Sequence, residues 1–198
     1  CANGKEYLKN GWFTIGGRDY LFGSDGYMIT GWLKRDDGAW VYANSEGALV
    51  GGWVLDESFG GAYWYYLDPA TKVMKTGWVA DGGSWYYLTG SGAMATGWVR
   101  DGGSWYYLST DSGAMVTGWV QLGASWYYLQ PSGAMATGWV KDGSSWYFMA
   151  PSGALTTGWL KDGGFWYYLS TDSGAMYTGG HWIGWKWYYF NESGQLVV

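Results

Sequence analysis

Tryptophans recur along this chain in pairs at fixed spacing. Trp78/Trp85, Trp98/Trp105, Trp119/Trp126, Trp139/Trp146 and Trp159/Trp166 are each seven residues apart. Trp32/Trp40 and Trp53/Trp64 are looser versions of the same pair. An indole presents the best aromatic face for a cation, and several faces together can surround one. The chain holds 18 Trp and 19 Tyr in 198 residues, more than a core needs, since Leu, Ile or Val would fill one at less cost. The chemistry on offer is therefore recognition by ring faces. Acid–base or nucleophilic catalysis has little to work with. His181 is the single histidine, which leaves a His-dependent triad or a multi-His metal site without support. No phosphate-binding G-x-x-x-x-G-K-[ST] loop occurs. Asp81, Asp101, Asp142 and Asp162 come one to a turn instead of meeting in one cleft, so they read as turn residues.

The elements that must position these rings follow from the repeat. Gly-Trp pairs begin at Gly11, Gly31, Gly52, Gly77, Gly97, Gly118, Gly138 and Gly158, and a degenerate ninth copy runs through Gly179-Gly180-His181-Trp182. The Trp-to-Trp steps are 20 or 21 residues, except 25 after Trp53 and 23 before Trp182. A chain that repeats one short unit builds an array rather than a single globule. Each unit holds two short runs, T-G-W-V and W-Y-Y-L, around a tight turn such as Asp81-Gly82-Gly83 or Asp142-Gly143-Ser144. Asp-Gly between aromatic and β-branched runs is a strong hairpin signal. A looser turn closes each unit, as in Pro131-Ser132-Gly133, and gains a residue in Thr110-Asp111-Ser112-Gly113 and Thr171-Asp172-Ser173-Gly174.

The expected architecture is all-β: about nine ~20-residue hairpins, stacked because a lone hairpin is marginal in water. One array covers 1–198, with an atypical end over 1–30, regular repeats over 31–178 and a capping repeat over 179–198. Unit one carries Tyr20 where later units have Trp, and Leu55 to Gly61 form an insertion. Side chains alternate faces along a strand. A two-residue Asp81-Gly82 loop would put Trp78 opposite Trp85, with Tyr87 on the same face and Tyr86 and Val79 on the other.

Composition narrows the partners. The formal net charge is −5, which disfavours phosphate backbones and anionic lipid heads and suits a cationic ligand. Single-stranded nucleic acid also stacks on aromatics, but needs a basic groove that eleven scattered Lys+Arg do not make. No apolar stretch reaches the length of a membrane-spanning helix. A lone cysteine, Cys1, excludes an internal disulfide. Its place reads as a cut or engineered end rather than a lipid-modified terminus, of a mature chain without a signal peptide or an excised part of one.

The pattern G-W-V-x-D-G-G-S-W-Y-Y-L-x-x-S-G-A-M-x-T-G-W resembles the choline-binding repeat of pneumococcal and related Gram-positive surface proteins and phage endolysins. The resemblance is most specific from Gly77 to Met176. It implies a left-handed β-solenoid of hairpins that holds choline between successive hairpins. The implied box has two Trp from one hairpin, a Tyr from the next, and often Met or Leu as a fourth wall. The implied ligand is phosphocholine on teichoic and lipoteichoic acid, and the implied place is the bacterial cell surface, bound to the wall. No metal or cofactor is implied. A quaternary ammonium has no N–H to donate, so ring faces must hold it, each contributing roughly 0.5–2 kcal/mol. Three rings give about the millimolar range per site. Repetition along a polymer then adds avidity.

Carried onto this sequence, the boxes are Trp78, Trp85 and Tyr107; Trp98, Trp105 and Tyr128; Trp119, Trp126 and Phe148; Trp139, Trp146 and Tyr168; Trp159, Trp166 and Tyr189. Trp53, Trp64 and Tyr87 and Trp32, Trp40 and Tyr66 are distorted versions. Trp12 with Tyr20 and Tyr42 departs most. Met94, Met115, Met135 and Met176, with Leu155, are the fourth walls or else packing. Face parity favours the second tyrosine of each pair over the first. The other functional class is a glucan-binding repeat, since sugars also stack on aromatics, although polar partners normally orient them. Any catalytic domain would lie outside this chain.

Overall fold

The computed structural model describes residues 8–58 and 60–197. Cys1 and Phe59 of the insertion lie outside the described residues. Among these residues all regular structure is β, in nine antiparallel two-stranded hairpins. The first four are β1 (Gly11–Ile15) with β2 (Arg18–Phe22), β3 (Gly31–Lys34) with β4 (Trp40–Ala43), β5 (Gly52–Asp56) with β6 (Tyr63–Leu67), and β7 (Gly77–Asp81) with β8 (Ser84–Leu88). The other five are β9 (Gly97–Asp101) with β10 (Ser104–Leu108), β11 (Gly118–Leu122) with β12 (Ser125–Leu129), β13 (Gly138–Asp142) with β14 (Ser145–Met149), β15 (Gly158–Asp162) with β16 (Phe165–Leu169), and β17 (Gly179–Ile183) with β18 (Lys186–Phe190). The chain divides into two compact units. Cys1–Thr96 with Thr110–Ala114 form the first, and Gly97–Ser109 with Met115–Val198 the second.

The hairpins are set by their turns. Gly82 and Gly83 have φ of +56° and +82°, the double left-handed conformation of a type I′ turn, which glycine adopts without steric cost. The loop is thus Gly82-Gly83, and Asp81 is the last strand residue, paired with Ser84. This moves the register expected for an Asp81-Gly82 loop. Trp78 pairs with Tyr87, and Trp85 pairs with Ala80. The face assignment survives, because Ala80 is two residues from Trp78 and side chains at that interval share a face. Val79 and Tyr86 pair on the opposite face, as expected.

The core is made only in part of rings, with Tyr65, Tyr66 and Tyr167 buried in it. Most of its fully buried residues end the second strands, each paired with the glycine that opens the first strand. In the second unit these are Leu108, Leu129, Met149, Leu169 and Phe190, all with no exposed surface; Leu67 and Leu88 do the same in the first. Full burial of such a side chain contributes about 1.5–3 kcal/mol. Each connector then folds back to bridge this residue, as Leu129 to Met135 and Leu169 to Met176. Connectors stack on one another through a Gly-on-Met contact. At Gly153, φ +83°, an added Cβ would overlap the Met135 thioether, so backbone conformation and close approach both require glycine.

The two ends depart from the pattern. In the first hairpin Thr14 pairs with Asp19, so Asp19, not Tyr20, occupies the position of the second Trp. In the ninth, Gly179 pairs with Phe190 and Gly180 with Tyr189. Gly180 therefore stands where the Gly-Trp indole belongs, and Trp182 is displaced two residues along the strand.

Candidate functional site

A cleft forms where the Trp-bearing face of one hairpin meets the opposite face of the next. In the first unit, Trp32 packs edge-on against Tyr65 at 4.7 Å between ring centroids, and Trp53 against Tyr86 at 4.8 Å. In the second, Trp98 meets Tyr127 at 5.1 Å, Trp119 meets Tyr147 at 4.8 Å, Trp139 meets Tyr167 at 4.8 Å and Trp159 meets Tyr188 at 4.9 Å. The second Trp of each hairpin stands beside the first and leaves nearly half its surface exposed.

The ring contributed by the next hairpin is therefore the first tyrosine of each pair. Face parity pointed to the second. Successive hairpins stack front to back, so the wall facing the Trp pair comes from strand positions of opposite parity. The second aromatic instead packs on the Gly-Trp indole of its own hairpin. Tyr66, Tyr87, Tyr107, Tyr128, Phe148 and Tyr168 lie 5.0–5.2 Å from Trp53, Trp78, Trp98, Trp119, Trp139 and Trp159 respectively. Tyr189 sits across from Gly180 and is half exposed.

The fourth wall is held by the backbone. Met74 donates its N–H to the carbonyl of Trp40, Met94 to Trp64, Met135 to Trp105, Leu155 to Trp126, Met176 to Trp146 and Leu196 to Trp166, all at 2.7–2.8 Å. Met74, Met94 and Leu155 line a cleft together with the second Trp, and the side chains of Met74, Met94, Met135, Leu155 and Met176 also underlie the next connector glycine. At Met74, Met94 and Leu155 one side chain both packs under a glycine and lines a cleft. Met74 and Leu196 belong to this set although the sequence pattern had not picked them out. Met115 packs under Gly133 and bridges Leu108.

Three of these clefts are open cavities of about 550, 630 and 700 Å³. The last is lined by Trp119, Trp126, Tyr147 and Leu155, with Thr157, Asp172 and Ser173 at its rim. The first has Trp53, Trp64, Tyr86 and Met94, with Thr110, Asp111 and Ser112.

The turn aspartates have a second task. The indole N–H of Trp32 donates to Asp56, that of Trp53 to Asp81, that of Trp119 to Asp142 and that of Trp139 to Asp162, at 3.0–3.2 Å. Each acceptor ends the first strand of the following hairpin. A cue existed in the sequence, since the acid recurs at the fourth position of W-x-x-D; turn chemistry alone explained it too readily. Tyr66 also donates to Asp81, at 3.3 Å. Burial first, then the Asp81 charge and this hydrogen bond, push the Tyr66 phenol above the usual tyrosine range. The Tyr65 phenol is raised by burial, then by the charge of Asp56.

Ring faces here already attract cations of the chain itself. Arg100 lies 6.0 Å from the ring centroid of Trp105, Lys141 5.9 Å from Trp146, Lys161 5.7 Å from Trp166 and Lys34 5.7 Å from Trp40. Each pair is directly cross-strand.

The choline-binding repeat profile matches residues 9–50, 75–118 and 116–157, more than half of the chain, and a profile described as "Putative cell wall binding repeat" matches 157–176 and 182–196. The chain belongs to the choline-binding repeat family. Among solved structures, this repeat array is similar to CbpJ of Streptococcus pneumoniae, at 43% identity and a TM-score of 0.79 over 90% of this chain and 62% of that one. Choline binding protein F of the same species matches at 41% identity and a TM-score of 0.78, over 91% and 61%. A curated pneumococcal relative described as "Putative endo-beta-N-acetylglucosaminidase" is 32% identical over 83 residues, 41% of this chain and 12% of its own length. The array thus spans under two thirds of these structural relatives and about an eighth of that curated one.

Proposed function

We propose that the clefts bind choline and that the array anchors a protein to choline-decorated teichoic and lipoteichoic acid on a bacterial surface, without catalysis of its own. The supporting observation is the make-up of the cleft at Trp119. Three rings and an aliphatic wall converge on it, and the Trp119 N–H is already bound to Asp142. That indole offers a face and no donor. A face without donors suits a trimethylammonium, which accepts no hydrogen bond, better than a sugar hydroxyl. The net charge of −5 and Asp172 at the rim favour a cation as well. The sites assigned are Trp32, Trp40, Tyr65 and Met74; Trp53, Trp64, Tyr86 and Met94; Trp98, Trp105, Tyr127 and Met135; Trp119, Trp126, Tyr147 and Leu155; Trp139, Trp146, Tyr167 and Met176; and Trp159, Trp166, Tyr188 and Leu196.

The polar rim of Thr157, Thr171, Asp172 and Ser173 is what a glucan reading would use. Retention on a choline-bearing matrix separates the two. Choline recognition predicts retention and elution by free choline, with maltodextrin and dextran without effect. Elution by either sugar and not by choline would put the glucan reading in its place.

A further inference from the structure

The aspartate that holds the Gly-Trp indole is not present in every repeat. Within the second unit, Asp142 and Asp162 accept from Trp119 and Trp139. The same strand-end position facing Trp98 is Leu122, which pairs with Ser125 as Asp142 pairs with Ser145. The one facing Trp159 is Ile183, paired with Lys186. Neither side chain can accept a hydrogen bond.

The rings differ accordingly. Where the acid is missing, the two Trp of one hairpin touch edge to face, Trp98 with Trp105 at 6.4 Å and Trp159 with Trp166 at 6.2 Å, both at 87°. The Gly-Trp indole also stands farther from the next hairpin's tyrosine, 5.1 and 4.9 Å against 4.7–4.8 Å at the four indoles bound to an acid.

We infer that the strand-end aspartate is a positioning residue for the cation, and that the clefts of this chain fall into two affinity classes by its presence. The inference rests on the reading of the clefts as cation sites. Two physical effects act together. The hydrogen bond fixes the indole plane, so that the ring face toward the cleft is organised before the ligand arrives. The carboxylate also places a negative charge at the ring edge. That charge acts directly on a cation bound at the face, in a partly desolvated site where it is weakly screened. At Trp98 and Trp159 both effects are missing, and these clefts fill last.

The test exchanges the classes in the full chain. Choline chloride is titrated while the indole N–H signals are followed individually by NMR. Leu122→Asp is expected to tighten the Trp98 cleft, and Asp142→Leu to weaken the Trp119 cleft, each by roughly threefold to tenfold. Asp142→Asn keeps an acceptor and loses the charge. It is expected to restore the Trp119 indole signal toward its wild-type position but only part of the affinity, and to flatten the salt dependence at that cleft. A purely structural role would restore both together. Leu122→Asp, a gain, guards against loss through misfolding of the Asp142 variants. If wild-type signals ignore choline, the cation reading itself fails. If they respond, and the exchanges leave the affinities of the Trp98 and Trp119 clefts unmoved, or Asp142→Asn restores affinity in full, the two-class inference is wrong.

Discussion

The sixth and ninth hairpins share an opening glycine and the W-Y-Y of the second strand, and end up differently. In β11–β12, Trp119 and Trp126 stand side by side and open a cleft toward Tyr147. In β17–β18, Gly180 replaces the first indole, and a Cβ added there would overlap the Trp187 ring. The second Trp has moved into the space of the first. Trp182 and Trp185, 68% and 100% exposed, do not take the first indole's place, because Trp182 stands two residues further along the strand and Trp185 lies in the turn. The place of the first indole is therefore set by position along the strand and not by the number of tryptophans in the hairpin. The Gly-Trp ring acts as a spacer, held by an acid on one side and by its own hairpin's second aromatic on another.

The largest effect expected is the conversion of one hairpin into the other. Trp119→Gly should let Trp126 collapse as Trp187 does, with loss of one bound choline by calorimetry. The variant should also lose about 3–5 kcal/mol of stability, the usual range for removing a large packed ring. Trp185→Ala, on the fully exposed ring, should leave both stoichiometry and melting temperature unchanged. If Trp119→Gly keeps its full complement of choline, the spacer account breaks.

Ligand linkage comes next in size. Choline that binds only folded clefts stabilises them by about 2.7 kcal/mol per site at a hundred times its dissociation constant. Calorimetric melting should therefore rise with choline, and rise less in Trp119→Gly by one site's share. An unchanged melting temperature at saturating choline would contradict native-state binding. A smaller effect belongs to Lys141, whose ammonium lies 5.9 Å from the Trp146 ring. A resident cation there opposes a second one. Lys141→Gln should tighten free choline at the Trp139 cleft by roughly two- to threefold, bringing it toward the Gln121-bearing cleft at Trp119. Unaltered or weakened binding would show that Lys141 does not oppose the ligand.

The smallest effect is one of pH. The Tyr66 phenol is held above the usual tyrosine range by burial and by Asp81, whose other oxygen holds Trp53. The folded state thus binds this proton more tightly than the unfolded state does. Its contribution to stability is full below the ordinary tyrosine pKa and is lost as pH rises through the folded value. Alkaline denaturation should be blunted in Tyr66→Phe relative to wild type. An unaltered alkaline limb would remove this linkage.

Much of this was legible from spacing. The period gives the hairpins, and their turn signals give the ends to within one residue, the loop being Gly82-Gly83 where Asp81-Gly82 was expected. Alternation puts Trp78, Trp85 and Tyr87 on one face, as the register bears out. Two things were not legible. Parity within a hairpin cannot say which face the next hairpin presents, so Tyr107, Tyr128 and Phe148 were expected where Tyr127 and Tyr147, the first aromatics of their pairs, complete the clefts at Trp98 and Trp119. The degenerate ends also hid their register. Asp19 and Gly180 occupy Trp positions that the nearest aromatic residues, Tyr20 and Trp182, only mimic in sequence.

The account stands on the cleft between the front of one hairpin and the back of the next. It is tested most directly by choline titration of the Tyr147→Ala and Phe148→Ala variants, counting sites by calorimetry and following the Trp119 indole by NMR. Tyr147→Ala should bind one choline fewer and leave the Trp119 signal unresponsive. Phe148→Ala should keep the Trp119 response, since Phe148 backs Trp139 instead. The reverse outcome, with the Trp119 response lost in Phe148→Ala and kept in Tyr147→Ala, would contradict the front-to-back cleft.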